Sequence, residues 1–361
     1  MSLFETLAES GHEQVVYFHD RDSALRCIIA IHSTVLGPAI GGLRMWPYAN
    51  EADALRDVLR HSKEMTYKAA IAGLNLGGAK AVLIGNPETD KSEALFRGLG
   101  RFIDSLGGRY ITAEDVGTNV EDMDLIHQET GFVVGVDQVH GGSGDPSRFT
   151  ALGTLHGIRA CMQFKFGHAD LSRASFAVQG AGQVGYHLTR LLCESGAKVF
   201  VTDINEERVE QVVDECGAEA VPMAQIYDVE ADVFSPCAMS AVINEDTVPR
   251  LRCAIVAGGA NHQLESAEFG TELERRGILY APDYAINAGG LMNSAVELEG
   301  YDEERALRSV ARIHGIISRI LTRAAAENIP TWQAADRLAA ERIAAIGRIR
   351  LTYTYNDPRR R

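Results

Sequence analysis

The segment from residue 175 to residue 282 constrains the fold most, because apolar runs with strand character alternate there with helical periods. The runs are SFAVQ, KVFVTD, ADVFSP, AIVAGGA and GILYAP. Parallel strands need a crossover between them, usually a helix, so this alternation predicts a doubly wound α/β sheet. The motif GAGQVG follows the first run directly and precedes an amphipathic helix that ends near Gly196.

The glycine motif has the GxGxxG pattern, formed by Gly180, Gly182 and Gly185. The first glycine permits a tight turn, the second lets a pyrophosphate approach the backbone, and the third lets the helix pack on the strand. Asp203 closes the next strand, where a carboxylate binds the adenosine ribose and repels a 2′-phosphate. Neither of the next two residues carries a cation, so the sequence predicts dinucleotide binding with NAD favoured over NADP.

A second segment, MTYKAAIAGLNLGGAK, places Lys68 and Lys80 around an almost uncharged stretch. A buried lysine beside another cation can act as a base near neutral pH, and a cation binds a small anionic substrate. The alternative is that both side chains reach into water from a helix end and a strand. The intervening glycines are Gly73, Gly77 and Gly78. We interpret them as space for the backbone to approach a ligand closely.

Composition narrows the functional class. The chain has 361 residues, which exceeds the usual size of one domain and predicts two, and 46% of its residues are apolar, enough to form both cores. Its net charge of −14 opposes binding to nucleic acid or anionic membranes. The N-terminus lacks a signal-peptide pattern and no apolar run is long enough to span a bilayer, so we expect a cytoplasmic protein. Six scattered cysteines without a CxxC pair predict reduced thiols and no metal site. The only basic run, 359–361, is expected to be a solvated tail.

The domain order follows from where the pattern changes. Residues 14–18 and 26–32 resemble strands and residues 51–65 and 92–105 helices, which predicts a mixed α/β first domain. The glycine-rich stretch 131–146 marks the crossing between domains. Two long helices are predicted at 302–328 and 331–349, carrying the chain back to the first domain. The predicted substrate-binding and oligomerisation domain is therefore 1–140 plus about 330–361, and the NAD-binding domain with its linking helices is 141–329.

Six motifs together give a family resemblance. They are GPAIGGLRMWPY, MTYKAAIAGLNLGGAK, GRYITAEDVGT, GAGQVG, APDYAINAGG and AADRLAAERI. With them the sequence resembles the amino-acid dehydrogenase superfamily, most closely its leucine, valine and phenylalanine branch. The resemblance implies a two-domain enzyme that holds NAD against an L-amino acid in a cleft and reversibly oxidises it to a 2-oxo acid and ammonia. It also implies a homo-oligomer, with an octamer as the suggested assembly.

The resemblance implies a role for each site residue. Lys68 is similar to the lysine that binds the substrate carboxylate, Lys80 to the one that activates water, and Asp115 to the acid that shuttles protons at the nitrogen. On its residues alone, Asp115 is equally a turn acid or a cap of the predicted helix 120–129. Gly41 and Gly42 resemble a loop that meets the carboxylate with backbone amides, and Asn287 an amide near the reacting centre. The further expected cofactor contacts are Thr150, Gln183, Val184, Ile204, Cys237, Ala238 and Asn261.

Substrate choice depends on Ile40, Ala113, Leu291 and Ser294, which fall where the family has its side-chain pocket. Glutamate is excluded because Ile40 stands where glutamate dehydrogenases carry a lysine. Ala113 favours leucine, valine and isoleucine. The hydroxyl of Ser294 departs from the usual aliphatic wall and Leu291 also occurs in relatives that accept aromatic side chains, so phenylalanine or another bulky apolar amino acid is the alternative. His262 also departs from the family, which commonly has a second asparagine there.

Two other classes of function remain open from the residues. A nucleotide-sensing protein would keep the dinucleotide domain without catalysis, and the joint presence of Lys68, Lys80 and Asp115 argues against it. An enzyme that forms a Schiff base on a lysine is the second, and the adjoining dinucleotide motif favours hydride transfer over it.

Overall fold

The computed structural model describes residues 3–238 and 240–349, and these divide into two compact units. Unit 1 comprises 3–145, 294–301 and 339–349, and unit 2 comprises 146–293 without 239 together with 302–338. The chain changes unit between Asp145 and Pro146. The division differs from the predicted ranges because residues 141–145 and 294–301 group with unit 1 and residues 330–338 with unit 2. The basic run 359–361 lies outside the described residues.

Unit 1 contains a five-stranded mixed sheet of order β1-β2-β4-β3-β5. Its strands are β1 (Gln14–Asp20), β2 (Leu25–Ser33), β3 (Ala39–Trp46), β4 (Gly77–Ile84) and β5 (Tyr110–Glu114). Its helices are α1 (Leu3–Ser10), α2 (Glu51–Ile71), α3 (Glu93–Ser105) and α4 (Val120–His127). Strands β3, β4 and β5 run parallel because α2 and α3 form the crossovers between them.

The two faces of this sheet bury different helices. Val58 of α2 clusters with Ile28 and Val82, whereas Phe96 of α3 clusters with Leu83 on the other face. Helix α2 begins where the Asn50 side chain accepts a hydrogen bond from the backbone N–H of Asp53, which satisfies an otherwise unpaired donor of the first turn. The predicted helix 51–65 therefore exists and extends to Ile71.

Unit 2 contains a parallel sheet of six strands in the order β11-β10-β9-β6-β7-β8. Its strands are β6 (Ser175–Gln179), β7 (Lys198–Thr202), β8 (Glu219–Ala220), β9 (Val233–Pro236), β10 (Ile255–Val256) and β11 (Leu279–Tyr280). Its helices up to the last strand are α5 (Ser147–Phe166), α6 (Gln183–Glu194), α7 (Glu206–Cys216) and α8 (Ala267–Arg275). This is the strand order of dinucleotide-binding folds, so the predicted doubly wound sheet is confirmed.

The remaining helices correct one prediction. They are α9 (Asp283–Ile286), α10 (Gly289–Glu297), α11 (Glu303–Ala311), α12 (Ile313–Glu327) and α13 (Thr331–Gly347). The single helix predicted for 302–328 is wrong, because the chain forms α11 and α12 with a break at Arg312. There the Arg312 N–H donates to Ser309 O at 3.0 Å, three residues back, which interrupts the α-helical pattern.

No helix within residues 3–238 and 240–349 combines the length and the apolar composition that a membrane crossing requires. The six cysteines are all unpaired, and Cys27, Cys161 and Cys253 are buried.

The interpretation of the three glycines as space for a ligand is wrong, because other parts of the chain occupy that space. Gly73 has φ +75° directly after α2, where it reverses the chain. A Cβ on Gly77 would lie 1.9 Å from Ser33 O, and one on Gly78 would lie 2.0 Å from the backbone N of Thr66. These glycines let β4 approach its neighbour strand and α2 closely.

We expect Gly78→Ala to destabilise the protein by about 2 kcal/mol or more, because its methyl group must displace the α2 backbone. Urea unfolding measures this change. Gly131→Ala is the matched control, since a Cβ there meets nothing within 4 Å. Equal stabilities of the two variants would contradict the packing of α2 on β4.

Candidate active site

Three adjacent strands of unit 1 bring Arg44, Lys80 and Asp115 together. Arg44 lies in β3, Lys80 in β4, and Asp115 directly after β5. Alternate residues of a strand share a face, so Gly42 and Arg44 lie on the same face of β3. A Cβ on Gly42 would lie 2.8 Å from the Asp115 Cβ and 3.4 Å from the Lys80 Nζ. The absence of a side chain at Gly42 therefore leaves the space in which the two charged groups meet.

The two cations converge on one carboxylate oxygen. Lys80 Nζ lies 2.9 Å from Asp115 Oδ2, and Arg44 Nε donates to the same oxygen at 2.9 Å. The Lys80 side chain is only 6% exposed, so it does not reach into water. The other oxygen, Asp115 Oδ1, has no hydrogen-bond partner among the described residues.

The charge of Asp115 follows from these contacts. Burial raises the pKa of its carboxyl, but the opposite charges of Lys80 and Arg44 and their hydrogen bonds outweigh burial and lower the pKa to about 2. Asp115 is therefore ionised at neutral pH. The alternative interpretation of Asp115 as a helix cap is wrong, because α4 is capped by the side chain of Asn119, which pairs reciprocally with Asp122.

The Arg44 guanidinium also binds a second carboxylate, that of Asp57. Arg44 Nη1 donates to Asp57 Oδ2 at 3.0 Å, and the Tyr48 hydroxyl donates to the same oxygen at 2.6 Å. His61 Nε2 lies 3.0 Å from Asp57 Oδ1. Burial raises the pKa of Asp57, but hydrogen bonds from His61 and Tyr48 and the charge of Arg44 together hold it well below its ordinary value.

The other residues predicted to bind substrate in unit 1 lie on the same elements. Lys68 is partly buried on α2, eleven residues after Asp57 and thus on a similar face of the helix. Gly41 and Gly42 do not form the predicted loop, because both lie within β3 and pair with Thr112 and Ala113 of β5. The Tyr110 hydroxyl donates to Gly41 O at 2.8 Å, which fixes that backbone further.

The predicted pocket residues divide between a sheet and a helix. Ile40 is buried in β3 and Ala113 partly buried in β5, and alternation along the strands puts both on the face that carries Gly42. Leu291 and Ser294 lie one turn apart on α10, and Ser294 is 6% exposed.

In unit 2 the GAGQVG loop joins β6 to α6. Gly180 has φ +105°, and a Cβ there would lie 2.6 Å from the Ala238 Cβ. A Cβ on Gly185 would lie 1.8 Å from Gly180 O, so α6 packs tightly on the turn. A Cβ on Gly182 would meet only Arg208 Nη1, at 3.9 Å. Since Gly182 precedes α6 without a side-chain cap, open space borders the N–H groups of the helix start.

Asp203 supports this loop from the end of β7. Its Oδ2 accepts a hydrogen bond from the Ala181 N–H at 2.6 Å, and its Oδ1 accepts one from the Asn205 N–H at 2.9 Å. Ile204 beside it is 85% exposed. The two residues after Asp203 carry no cation, as the sequence shows, but Arg208, one turn into α7, lies near Gly182.

Four predicted cofactor contacts surround the loop where the strand order reverses between β6 and β9. Gln183 is exposed and Val184 partly buried at the start of α6. Cys237 and Ala238 follow β9, and the Cys237 N–H donates to Gln179 O at 2.7 Å. Ligands of doubly wound sheets bind at this reversal, outside the carboxyl ends of the strands.

The predicted amide contacts also lie together in unit 2. Asn287 Nδ2 donates to Asn261 Oδ1 at 2.8 Å and to Ala260 O at 3.2 Å. Asn287 Oδ1 is buried and has no hydrogen-bond partner among the described residues. Thr150 is partly buried near the start of α5, where its hydroxyl donates to Pro146 O at 3.2 Å.

His262 occupies a position where the backbone is in the left-handed conformation. Its φ is +50°, in the left-handed region, where asparagine and histidine are found more often than most residues. Its carbonyl accepts a hydrogen bond from the Ala241 N–H at 2.6 Å. The exchange of asparagine for histidine thus retains a residue type that tolerates this conformation.

This chain is similar to known proteins along nearly its whole length. A leucine dehydrogenase of Bacillus cereus is 52% identical over 356 residues, covering 99% of this chain and 97% of that enzyme. Residues 12–132 match the Glu/Leu/Phe/Val dehydrogenase dimerisation domain, and residues 201–350 match the Glutamate/Leucine/Phenylalanine/Valine dehydrogenase family. The chain belongs to the Glu/Leu/Phe/Val dehydrogenase family.

Two further relatives place this dehydrogenase within the family. A phenylalanine dehydrogenase of Bacillus thermotolerans is 47% identical, covering 98% of this chain and 93% of that enzyme. The crystal structure of L-tryptophan dehydrogenase from Nostoc punctiforme has a TM-score of 0.84 at 44% identity, covering 96% of this chain and all of that one. The dehydrogenase is therefore an oxidoreductase acting on a CH–NH2 group, and its family uses a nicotinamide cofactor.

Arg44, Asp57 and Glu114 of this dehydrogenase were not among the residues predicted from the sequence. Arg44 lies within GPAIGGLRMWPY, and its alternation with Gly42 indicates a shared face only once this segment is known to be a strand. Glu114 precedes Asp115 and has no side-chain hydrogen bond among the described residues. Burial, followed by the negative charges of Asp145, Asp115 and Asp122, raises its pKa to about 7.

The raised pKa of Glu114 predicts a stability that depends on pH. Between the ordinary value of 4.5 and about 7, the folded protein keeps a proton that the unfolded chain has lost, so Glu114 makes folding less favourable as pH rises. We expect Glu114→Gln to raise the thermal midpoint at about pH 8 and to change it little at about pH 4. Glu88→Gln, at an exposed position, is the control. An equal effect of Glu114→Gln at both pH values would contradict the assignment.

Proposed function

We propose that this dehydrogenase catalyses the reversible, NAD-dependent oxidative deamination of branched-chain L-amino acids to 2-oxo acids and ammonia. The observation that carries the proposal is the buried pair of Lys80 and Asp115, whose Oδ1 has no partner among the described residues. An ionised carboxylate with one oxygen available is suited to exchange protons with an amino group.

The proposed roles of the side chains follow from charge and position. Lys68 binds the substrate carboxylate as a fixed cation. The backbone at Gly41 and Gly42 is proposed to contact the same carboxylate. Asp115 takes a proton from the substrate nitrogen and returns one as ammonia leaves. Lys80 orients and activates the water that attacks the imino acid, and its 2.9 Å contact with Asp115 provides a direct path for the proton.

Two observations in unit 2 fit a nicotinamide dinucleotide. The space above Gly182 borders the start of α6, where backbone N–H groups favour a pyrophosphate. The buried Asn287 Oδ1 has no partner among the described residues, which suits an amide donor of a ligand. Thr150, Cys237, Ala238 and Asn261 are the further proposed contacts, together with Gln183, Val184 and Ile204. When bound, the dinucleotide supplies the acceptor for the hydride from the substrate Cα.

The choice of NAD rests on Asp203. Its two oxygens are held by backbone N–H groups, which keep the carboxylate directed at the site that a ribose occupies in such folds. A 2′-phosphate would be repelled there. Arg208 nearby carries a positive charge that would attract a 2′-phosphate. The exclusion of NADP in this proposal therefore depends on Asp203.

We expect Asp203→Ser to raise kcat/KM with NADP relative to NAD by roughly tenfold or more, since one repulsive charge near a phosphate is removed and about 1.4 kcal/mol corresponds to tenfold. Adding Arg208→Gln should cancel most of the gain. Steady-state kinetics with both cofactors measure the ratio. An unchanged ratio in Asp203→Ser would refute the role of the carboxylate.

The branched-chain preference rests on the apolar walls at Ile40 and Ala113, with Leu291 and Ser294 as the further pocket residues. A leucine side chain requires an uncharged surface, and neither wall residue carries a polar atom on its side chain. The relatives named phenylalanine and tryptophan dehydrogenases make a bulky aromatic amino acid the second candidate.

We also propose a cytoplasmic homo-oligomer, with an octamer as the specific assembly. The name of the family model that covers 12–132 supports self-association. Strand β1 is an edge of the described sheet, and Tyr17 on it is 45% exposed. Unpaired cysteines suit a reducing compartment.

A panel of L-amino acids assayed for NADH formation, and repeated with NADP, tests the proposed function. We expect the highest kcat/KM for leucine, isoleucine and valine with NAD. A maximum for phenylalanine or tryptophan would keep the reaction and replace the substrate. Absence of activity across the panel would refute the proposed substrates.

We expect Lys80→Ala to lower kcat by about 100-fold or more, because proton transfer loses its positioned group. Lys68→Ala should chiefly raise the KM for the amino acid. Lys91→Ala, which removes another lysine–carboxylate pair in unit 1, is the control and should retain both constants. Retention of most of the turnover by Lys80→Ala would exclude its proposed role.

A further inference from the structure

Arg44 connects the Asp115 carboxylate to a second carboxylate, Asp57. Its Nε donates to Asp115 Oδ2 and its Nη1 donates to Asp57 Oδ2, at 2.9 and 3.0 Å. The Arg44 side chain is 21% exposed and Asp57 15%. Tyr48, in the loop between β3 and α2, and His61, one turn further along α2, also bind Asp57 and fix its position.

The guanidinium geometry is what makes this connection specific. Its N–H donors lie in one plane with fixed directions, so one side chain can bind two carboxylates at once. A lysine carries its charge on one freely rotating nitrogen and cannot hold both in fixed directions. Arg44 therefore joins Asp115, which also pairs with Lys80, to Asp57, which also pairs with Arg60.

The position of Arg44 also determines which oxygen of Asp115 is available. Lys80 and Arg44 approach Oδ2 from neighbouring strands, and Oδ1 has no partner among the described residues. With Arg44 removed, the carboxylate is held by Lys80 alone and is free to rotate about its bond. Either oxygen can then pair with the ammonium, so neither is reliably presented to a substrate.

We propose that Arg44 is a positioning residue for proton exchange at the substrate nitrogen: bound to Asp57, it fixes Asp115 Oδ2 beside Lys80 and leaves Oδ1 directed at the substrate. This inference rests on the proposed function, because it assigns Asp115 the proton-exchange step. The other ionisable groups that face Asp115 and Arg44 are Lys80 of β4, Glu114 and Tyr110 of β5, Asp57 and His61 of α2, and Tyr48.

The test compares Arg44→Gln and Arg44→Lys with the parent, using the amino acid of highest rate in the panel. In Arg44→Gln we expect kcat to fall roughly tenfold or more, with KM changed about twofold or less. Proton exchange at the substrate nitrogen then becomes slower relative to the other steps. The solvent deuterium isotope effect on kcat should therefore rise above that of the parent.

The conservative variant separates charge from geometry. Arg44→Lys keeps a cation beside Asp115 but cannot bind both carboxylates in fixed directions, so we expect kcat to remain lowered and the solvent isotope effect to remain raised. Arg60→Gln is the matched control, because Arg60 also donates to Asp57, at 3.3 Å, without a contact to Asp115. It should match the parent in kcat and in the solvent isotope effect.

An Arg44→Gln variant with the solvent isotope effect of the parent overturns the inference, even if its activity is low, because a purely structural role lowers activity without slowing the proton-exchange step in particular. If Arg44→Gln does not fold, Arg44→Lys decides: a parental kcat overturns the inference, and a lowered kcat at a thermal midpoint within a few degrees of the parent supports it. The proposed function is tested separately: if the parent is active and Lys80→Ala is defective, the proposed function stands whatever the Arg44 variants show.

Discussion

The ion pair between Lys80 and Asp115 is the interaction on which the rest of unit 1 depends. Removing an ammonium group from water costs several kcal/mol, and an opposite charge in hydrogen-bonding geometry offsets that cost. Here the ammonium is almost fully buried and its partner carboxylate lies 2.9 Å away. Because Arg44 pairs with the same carboxylate, two cations together stabilise its negative charge.

The backbone is arranged around this pair. Parallel strands β4, β3 and β5 place the three charged side chains on one face, and the bare Cα of Gly42 leaves room for two of them. Gly78 lets α2 approach that face, and α2 carries Asp57 and Lys68. The glycines in this region thus set distances between elements, and the charged side chains occupy the space that remains.

The sequence was most informative where the requirement is local. The GAGQVG turn and its flanking strand and helix follow from a motif whose glycines each have a steric reason, as the contacts of Gly180 and Gly185 illustrate. The parallel sheet of unit 2 was predicted from the alternation of strands and helices, and helix α2 from its periodicity. The family was recognised from six motifs, and the relatives confirm it.

Features that depend on tertiary contacts could not be predicted. Gly41 and Gly42 were expected in a loop from the family resemblance, and only pairing with β5 reveals a central strand. The break at Arg312 has no proline to indicate it, and the nearest glycine, Gly315, lies within α12. Arg44 could be placed on a face by alternation, but its binding to Asp57 depends on how α2 packs on the sheet, which no local pattern specifies.

A double-mutant cycle of Lys80→Met and Asp115→Asn, with the free energy of unfolding taken from urea titrations, measures the coupling between the two buried charges. Each single variant leaves a buried charge with altered partners, whereas the double variant removes the pair. We expect the two changes not to be additive, with a coupling free energy of at least about 1 kcal/mol and a double variant less destabilised than the sum of the single ones. Additivity within about 0.5 kcal/mol would contradict this coupling.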